Sequence, residues 1–219
     1  MVTLEDYASF IKWMLEQDFT LILDYIGTFA FAISGIRLAS GKNIDLFGAF
    51  MVGMLTAVGG GTIRDLLLGI TPFWLTTSSY VIITTISLMI VIVFRKYLVK
   101  LNETVFLFDA IGLGFFTVVG MEKALALNFP FWVAITMGVV TGSFGGLLRD
   151  ICINEIPLIF RKDIYAMACV VGGLVYGALN LLGVNSIAVE SITVLTVIAA
   201  RLIAVKYHIS LPILKGHQG

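Results

Sequence analysis

The stretch GMLTAVGGGTIRDLLLG, residues Gly53–Gly69, is the most informative part of the sequence. Three consecutive glycines, Gly59–Gly61, lie in an otherwise apolar segment and are followed by Arg64 and Asp65. The chain repeats the pattern as GVVTGSFGGLLRD, residues Gly138–Asp150, with the shared residues displaced by 85 positions. Glycines and charged pairs are costly inside an apolar helix. Their repetition in register therefore indicates a function, which we predict to be an ion path.

The composition is that of an integral membrane protein. The 219 residues are 59% hydrophobic and 13% charged, with a mean hydropathy of +1.02, whereas soluble domains average about 25% charged residues. The apolar runs are long and continuous rather than alternating, which favours transmembrane helices over a β-barrel. The formal net charge of +0 gives no electrostatic basis for nucleic-acid binding.

Seven apolar segments are long enough to cross a bilayer, for which a helix needs about 20 residues. We predict an all-α membrane protein with seven transmembrane helices, at 20–39, 46–70, 74–94, 105–125, 130–153, 163–182 and 186–206. Residues 1–19 are mixed in polarity and predict an N-terminal interfacial segment. Residues 207–219 form the predicted cytoplasmic tail.

The repeat extends well beyond the glycine segments. Residues that return 85 positions later are Asp24, Gly27, Phe31, Gly35, Ala39, Pro72 and Tyr80, as Asp109, Gly112, Phe116, Gly120, Ala124, Pro157 and Tyr165. Residues 20–98 and 105–183 are therefore predicted to be two copies of one three-helix unit, and helix 186–206 has no partner. Because each unit has an odd number of spans, the second copy enters the membrane from the opposite side, which makes an inverted repeat.

Basic residues predict the orientation of the chain in the cell (inner) membrane. The predicted cytoplasmic side carries Arg37, Lys42, Arg95, Lys96, Lys100, Arg161, Lys162, Lys206 and Lys215. The opposite side carries Lys12 and Lys123, offset by Glu5, Asp6, Glu16 and Glu190. The positive-inside rule then places the N-terminus outside and the C-terminus in the cytoplasm.

The glycines predict a hinge or pore in each repeat. Glycine lowers helix stability by about 1 kcal/mol relative to alanine, so Gly59, Gly60 and Gly61 are expected to kink or unwind the second span. Freed carbonyls at such a break can coordinate a cation. Gly145 and Gly146 are predicted to act in the same way in the fifth span. The alternative is close helix packing, which small residues allow in membranes.

Each repeat also places three charged residues in apolar surroundings. They are Asp24, Arg64 and Asp65 in the first copy, and Asp109, Arg149 and Asp150 in the second. Charges inside a span must be paired or hydrated. Neighbouring helical residues point about 100° apart, so an adjacent Arg–Asp pair is not expected to satisfy itself. We therefore predict Asp24–Arg64 and Asp109–Arg149 contacts, or the equivalent contacts between repeats, which contact the ion, pin the broken helices, or do both.

Further polar residues are candidates for the walls of the path. Ser34, Thr56, Thr117 and Thr141 lie in apolar helices. Most are expected to donate to their own backbone, but those that face the glycines would line a polar path. Lys123, beside Glu122 at the end of the fourth span, either extends to the outer interface or guards a pore mouth.

Several motifs of the chain resemble those of prokaryotic trimeric intracellular cation (TRIC) channels. They are GGGTIRD and GGLLRD, the span openings DYIGTFAFAISG and DAIGLGFFTVVG, and GMEKALAL at the end of the fourth span. The resemblance extends from about residue 20 to residue 206. The matching positions are Gly59, Gly60, Gly61, Arg64 and Asp65 in the first copy, and Gly145, Gly146, Arg149 and Asp150 in the second. The second copy departs from the first at Phe144, which stands at the position of Gly59.

The resemblance implies a homotrimer surrounded by membrane lipids, in which each subunit holds its own pore. The pore would run between the second and fifth helices and the first and fourth. It would pass potassium and sodium ions and need no cofactor or bound metal. The sequence offers no repeated carbonyl filter of the kind found in tightly selective potassium channels, so we expect weak discrimination between the two ions.

Other classes of function are weighed against the channel. A secondary transporter for a small zwitterion such as glycine stays open, because inverted repeats with broken helices also occur in carriers, and the same domain is described as a glycine transporter. A retinal protein needs a lysine in the middle of the seventh span, where the first lysine is the terminal Lys206. An enzyme is not expected, because no metal-ligand cluster or nucleophile–base set is found.

Overall fold

The computed structural model describes residues 4–94, 104–161 and 164–210, with side chains described for 19–94, 105–161 and 164–210. The helices are α1 (Leu4–Ala39), α2 (Leu46–Leu67), α3 (Phe73–Thr76), α4 (Ser79–Val93), α5 (Thr104–Ala126), α6 (Phe131–Cys152), α7 (Ala166–Leu181) and α8 (Ser186–Lys206). A short 3-10 turn, Leu158–Phe160, follows α6. The described residues therefore form the all-helical fold that the sequence predicts.

Five helices have the length and hydropathy of a membrane span: α1 from Phe19 on, α2, α5, α6 and α8. Two further apolar helices are shorter, with 15 residues in α4 and 16 in α7. They occupy the predicted third and sixth spans, so the count of seven spans stays a prediction.

Several predictions concern residues at the edges of the described ranges. α1 begins at Leu4, so the expected interfacial segment continues into the first span without a break. The basic residues that carry much of the orientation argument lie outside the described residues: Arg95, Lys96, Lys100, Lys162 and Lys215. The predicted tail beyond residue 210 also lies outside them.

Local sequence signals explain where the helices begin and end. The side chain of Asp45 accepts a hydrogen bond of 2.7 Å from the Gly48 amide and so caps the start of α2. Gly69, the last residue of the glycine-rich stretch, has φ of +74°, the left-handed conformation that ends a helix most readily at glycine. Pro72 and Pro157 precede α3 and the 3-10 turn, where a missing amide hydrogen costs nothing.

The core consists of α1, α2, α5 and α6. In this group α1 packs on α2 and α5, and α6 packs on the same two helices. α4 lies against α1 and α2. On the other side, α7 packs on α6, α8 packs on α5, and α7 and α8 also pack on each other. The four central helices therefore carry every charged and glycine position that the sequence predicts to be functional.

The expected unwinding at the glycines is wrong, because both glycine-rich helices are continuous. α2 is helical through Gly59–Gly61 and α6 is helical through Gly145 and Gly146. The backbone of Gly60 instead packs against the carbonyl group of Thr141 on α6. A Cβ at this position would overlap that oxygen. The glycines thus serve close packing, and the contact between the two helices offsets the low helix propensity of glycine.

The same contact occurs a second time with the roles of the helices exchanged. The backbone of Gly145 on α6 packs against the carbonyl group of Thr56 on α2. Thr56 and Gly145 are the counterparts of Thr141 and Gly60 at the 85-residue interval. The crossing of α2 and α6 is therefore reciprocal, with one glycine from each helix against one carbonyl of the other.

Candidate ion path

Two polar cavities open on the central helices. The Lys123 cavity, of about 200 Å³, is lined by ten residues: Thr20, Leu21, Asp24, Arg64, Phe73, Tyr80, Val119, Glu122, Lys123 and Ala126. The Arg149 cavity, of about 370 Å³, is lined by Leu38, Val105, Phe106, Asp109, Arg149, Asp150, Glu155, Leu158, Arg161, Arg201 and Val205. Asp24, Arg64 and Phe73 of the first cavity are the repeat counterparts of Asp109, Arg149 and Leu158 in the second.

The two cavities lie at different levels of the same helices. On α1, Asp24 lines the Lys123 cavity and Leu38 lines the Arg149 cavity. The helical rise of 1.5 Å per residue separates these two positions by about 21 Å. The region between them contains the crossing of α2 and α6, where the described side chains are tightly buried.

In the Arg149 cavity the predicted Asp109–Arg149 contact is confirmed. Arg149 Nη1 lies 2.5 Å from Asp109 Oδ1, and both side chains are 1% exposed. The same nitrogen donates a hydrogen bond of 2.8 Å to Ser34 Oγ on α1. Three helices, α1, α5 and α6, are thus joined at one guanidinium group, and each buried charge is paired as an apolar environment requires.

In the Lys123 cavity the predicted Asp24–Arg64 contact is wrong. The ion pairs of the described residues include no pair between these two side chains. Arg64 Nη2 lies 2.7 Å from Asp65 Oδ1 instead. Asp24 accepts a hydrogen bond of 2.5 Å from the Tyr80 hydroxyl group. Asp24 and Arg64 face the same cavity without an ion pair between them. One difference between the halves is that Ser34, which accepts a hydrogen bond from Arg149, has the apolar counterpart Val119 in this half.

The adjacent Arg–Asp pairs do contact each other, contrary to expectation. Arg64 Nε donates to Asp65 Oδ1 at 2.8 Å, and Arg149 Nε donates to Asp150 Oδ1 at 2.9 Å.

Each of these aspartates caps the short helix that follows. Asp65 Oδ2 accepts a hydrogen bond of 2.9 Å from the Phe73 amide, and Asp150 Oδ2 accepts one of 3.0 Å from the Leu158 amide. These amides begin α3 and the 3-10 turn, where the first N–H groups lack partners within the helix. Asp65 and Asp150 therefore fix the chain at the end of α2 and α6, which is a structural role at the edge of the cavities.

Three of the four predicted hydroxyl residues donate to their own backbone, as expected. Thr56 Oγ1 donates to Val52 O at 2.6 Å, and Thr141 Oγ1 donates to Met137 O at 2.6 Å. Thr117 donates to Leu113 O at 2.7 Å. Ser34 is the exception, because its hydroxyl group donates to Val105 O on α5 at 3.4 Å and accepts from Arg149. All four are buried in the packed region between the cavities.

Lys123 lines a cavity, which favours the second of its two interpretations. Its side chain is half-buried on α5 beside Glu122, and the same cavity holds the carboxylate of Asp24. Glu122 in turn accepts a hydrogen bond from the Tyr176 hydroxyl group on α7. Lys123 therefore brings a positive charge to the wall of this cavity.

The sequence did not identify four residues of the two cavities or their surroundings. Tyr80 and Tyr165 donate to Asp24 and Asp109, the second over a long 3.4 Å. Arg201 of α8 is 1% exposed, lines the Arg149 cavity and donates to Ile164 O at 2.6 Å. Glu190 of α8 accepts from Thr20 at 3.2 Å. The available signal for Arg201 and Glu190 is a charge inside an apolar span, which marks a functional candidate by default.

Among the described residues there is no group of three or more His, Cys, Asp or Glu side chains arranged to hold a metal ion. The acidic residues of the cavities are engaged with arginine, lysine or tyrosine partners.

Comparison with protein families identifies the chain. A family model described as glycine transporter matches residues 21–96 and again residues 106–180. The chain belongs to this glycine transporter (TRIC) family. The two matches begin 85 positions apart, at the interval of the sequence repeat, and α8 lies outside both.

Relatives of known sequence in the glycine transporter family are bacterial membrane proteins. A UPF0126 membrane protein of Vibrio cholerae is 38% identical over 202 residues, which cover 90% of this chain and 84% of the relative. The UPF0126 inner membrane protein YadS of Escherichia coli is 37% identical over 193 residues, covering 87% and 93%. With its apolar helices, the chain is thus a multi-pass protein of the inner membrane type.

Solved structures of glycine transporter (TRIC) family members have the same fold. The TRIC trimeric intracellular cation channel orthologue from Rhodobacter sphaeroides superposes with a TM-score of 0.82 at 34% identity, covering 87% of this chain and 98% of that one. A prokaryotic TRIC channel in 0.5 M KCl superposes with a TM-score of 0.79 at 30% identity, covering 91% and 100%. A TRIC channel from C. elegans shares the fold alone, at 15% identity and a TM-score of 0.62.

Proposed function

We propose that the protein is a monovalent cation channel that passes potassium and sodium ions, with one pore in each subunit of a homotrimer. The observation that carries the proposal is the pair of polar cavities built by equivalent residues at two levels of the same four helices. Similarity to prokaryotic TRIC channels at 30–34% identity over most of the chain supports the transported species and the trimer.

The charges of the cavities suit the passage of cations without tight binding. Asp24 on one side and Asp109 on the other supply carboxylate groups at the two ends of the path. In each cavity these carboxylates are accompanied by basic side chains such as Lys123 or Arg149, which limits the attraction of an ion to its site. Weak attraction allows a cation to leave as readily as it enters, which conduction requires. It also favours little discrimination between potassium and sodium.

The architecture proposed for the pore is an inverted repeat of three spans plus a seventh helix. The reciprocal Gly60–Thr141 and Gly145–Thr56 contacts support it. So do the two family-model matches. In this arrangement α4 and α7 complete the repeats, and the basic side of the chain faces the cytoplasm with the C-terminus.

The crossing of α2 and α6 is the proposed site of gating. At Gly60 and Gly145 the two helices touch through backbone atoms, so a small rotation of one helix changes their separation at these two contacts. Continuous helices make this a movement of one helix along another rather than bending at a preformed break. The roles proposed for Gly59, Gly60, Gly61, Gly145 and Gly146 are therefore those of contact surfaces.

A carrier for a small zwitterion such as glycine is the second candidate. The observation that favours it is the separation of the two cavities by a packed region, as alternating access requires. The description of the matching family model also agrees with it.

Single-channel recording separates the two candidates. The purified protein is placed in a planar bilayer with asymmetric potassium chloride. Discrete current steps that reverse near the potassium potential are expected for the channel. A silent bilayer, combined with saturable glycine uptake into proteoliposomes, would overturn the channel and support the carrier.

A further inference from the structure

Three positions on α1 and three on α5 lie on one face of each helix at intervals of seven residues. On α1 they are Asp24, Phe31 and Leu38, and on α5 they are Asp109, Phe116 and Lys123. Seven residues make nearly two complete helical turns and about 10.5 Å of rise, so the members of each set point in nearly the same direction.

The outer members of both sets line the cavities, and the middle members lie between them. Asp24 and Lys123 face the Lys123 cavity, whereas Leu38 and Asp109 face the Arg149 cavity. Phe31 and Phe116 occupy the level halfway along this line. Phe31 and Phe116 are counterparts in the repeat, 85 residues apart.

The two rings contact each other and fill the space between the helices. Their centroids are 5.1 Å apart with planes inclined by 70°, an edge-to-face contact. Phe31 is 0% exposed and Phe116 is 2% exposed. A ring pair in this contact leaves no room for water or a hydrated ion at that level.

Glycines on the facing helices hold the rings in place. Phe31 packs against the backbone of Gly112 on α5 and of Gly145 on α6, and Phe116 packs against Gly27 on α1. Each ring therefore lies against backbone, where a larger residue would exclude it. Gly145 also forms the crossing with α2, so movement at that crossing changes the space available to Phe31.

We propose that Phe31 and Phe116 together form the apolar gate of the ion path, and that they separate the two cavities by excluding water. The proposal rests on the proposed function, because it assigns a gate to the same path. An apolar constriction stops ions because water does not fill it, and a dehydrated ion cannot cross it cheaply. Conduction begins when the rings part and water connects the cavities.

Two unpartnered oxygen atoms flank the ring pair and mark where water would enter. Within the described residues, Thr28 Oγ1 and Asp109 Oδ2 are buried without a hydrogen-bond partner. Thr28 lies on α1 between Asp24 and Phe31, and Asp109 lies two turns from Phe116 on α5. Buried polar atoms normally have a hydrogen-bond partner, and in the open state water or an ion would be that partner.

The test is passive potassium flux from liposomes that contain purified full-length protein, together with single-channel open probability. The variants are Phe31→Ala, Phe116→Ala and the pair of milder changes Phe31→Leu and Phe116→Leu. We expect flux to rise at least about tenfold in the alanine variants and by a smaller factor in the leucine variants, because a smaller apolar side chain widens the constriction.

Phe29→Ala is the matched control. Phe29 lies on the same helix, two residues before Phe31, but lines a shallow pocket with Tyr25, Ile83 and Ile86 away from the cavities. Its flux is expected to equal that of the wild type. Folding of every variant is checked by size-exclusion chromatography, and where an alanine variant does not fold, the leucine variant at that position decides.

Wild-type flux in folded variants at both positions, or an equal rise in Phe29→Ala, would overturn the gate. The proposed channel function is tested separately, by the potassium conduction and glycine uptake of the wild type alone. A wild type that never conducts but takes up glycine refutes the channel. Potassium leak through Phe31→Ala in that same protein would still establish the ring pair as the barrier between the cavities.

Discussion

Arg149 Nη1 donates a hydrogen bond of 2.8 Å to the oxygen of Ser34, and this contact links α6 to α1. Arg64, the counterpart of Arg149, meets Val119 at the position equivalent to Ser34 and has no such acceptor. The hydroxyl group of Ser34 is therefore one of the differences between the two halves of the site. In one half, Arg149 bonds side chains of two other helices, Asp109 on α5 and Ser34 on α1. In the other half, the ion pairs of the described residues join Arg64 only to its neighbour Asp65.

Replacing Ser34 by valine should loosen the Arg149 half. The change removes the acceptor of a buried charged hydrogen bond, which costs about 1–3 kcal/mol of stability. We expect a lower midpoint of thermal unfolding in detergent and more frequent channel opening. The control is Thr85→Val, because Thr85 is exposed on α4 and bonds only its own helix. Equal effects of the two changes would contradict the role of Ser34.

Asp109→Asn and Asp24→Asn should have different effects although the two residues are repeat counterparts. Asp109 is ion-paired with Arg149, and loss of one partner of a buried pair costs about 3–5 kcal/mol. Asp24 accepts from Tyr80, and an asparagine oxygen can replace that acceptor. We expect Asp109→Asn to lower stability strongly, and Asp24→Asn to lower potassium conductance with little loss of stability.

Thermal unfolding and single-channel conductance, measured on both variants, test this difference. Equal loss of stability in the two variants would show that Asp24 also depends on an ion pair. An unchanged conductance in Asp24→Asn would remove this carboxylate from the path.

Gly60→Ala should be more damaging than Gly59→Ala, although the two glycines are adjacent. A Cβ at Gly60 meets the rigid carbonyl group of Thr141, whereas at Gly59 it meets the flexible end of Leu148. Overpacking of this kind costs about 1–3 kcal/mol. We expect Gly60→Ala, and likewise Gly145→Ala, to lower the unfolding midpoint and the rate of gating, with Gly59→Ala close to the wild type. A reversed order would contradict the reciprocal crossing.

Glu155, at the mouth of the Arg149 cavity, should make gating sensitive to acid. Lys42 Nζ lies 2.6 Å from Glu155 Oε1, and this hydrogen bond, with the charge of Lys42 and then Arg161, lowers the pKa of Glu155 below its usual value of 4.5. Because the pKa of Glu155 is lowered in the folded state, the Lys42–Glu155 link stabilises the folded protein at pH above 4.5. This stabilisation is lost as the pH falls through the lowered pKa of the folded state.

Open probability measured from pH 7 down to pH 3 tests this link, with the acid added on the side of the Arg149 cavity. We expect the open probability of the wild type to change below about pH 4.5. In Glu155→Gln this change in open probability should be absent. Because both side chains are partly exposed, high salt should imitate the acid effect. A pH response that persists unchanged in Glu155→Gln would assign it to another group.

The internal repeat makes much of the site predictable. Once two segments align at 85 residues, Asp109 and Arg149 are expected to meet because both stand at the same end of adjoining helices, and the structure confirms that contact. The repeat also presents Tyr80 and Tyr165 as equivalent positions. No sequence feature assigns either hydroxyl group to an aspartate, because the third helix of each unit must first be placed against the first.

The failures have physical causes that a repeat cannot show. The Asp24–Arg64 pair was expected from the repeat, but the two halves are not identical around it: Ser34 of the Arg149 half corresponds to Val119 in the other half. The glycine breaks were expected from helix propensity, which is worth about 1 kcal/mol per residue. Packing of α2 on α6 through Gly60 and Gly145 outweighs it. Arg201 and Glu190 were not predicted as site residues, because α8 has no repeat counterpart to align with it.

The shortness of α4 and α7 has a consequence for the lipids around the protein. At 1.5 Å per residue their 15 and 16 residues reach only about 22–24 Å, against a hydrocarbon layer about 30 Å thick. Exposed apolar side chains such as Ile82, Ile86 and Met89 face outward on α4. In the proposed seven-span arrangement, hydrophobic mismatch would favour thin bilayers, because the two short helices cannot cross a thick hydrocarbon layer without deforming it.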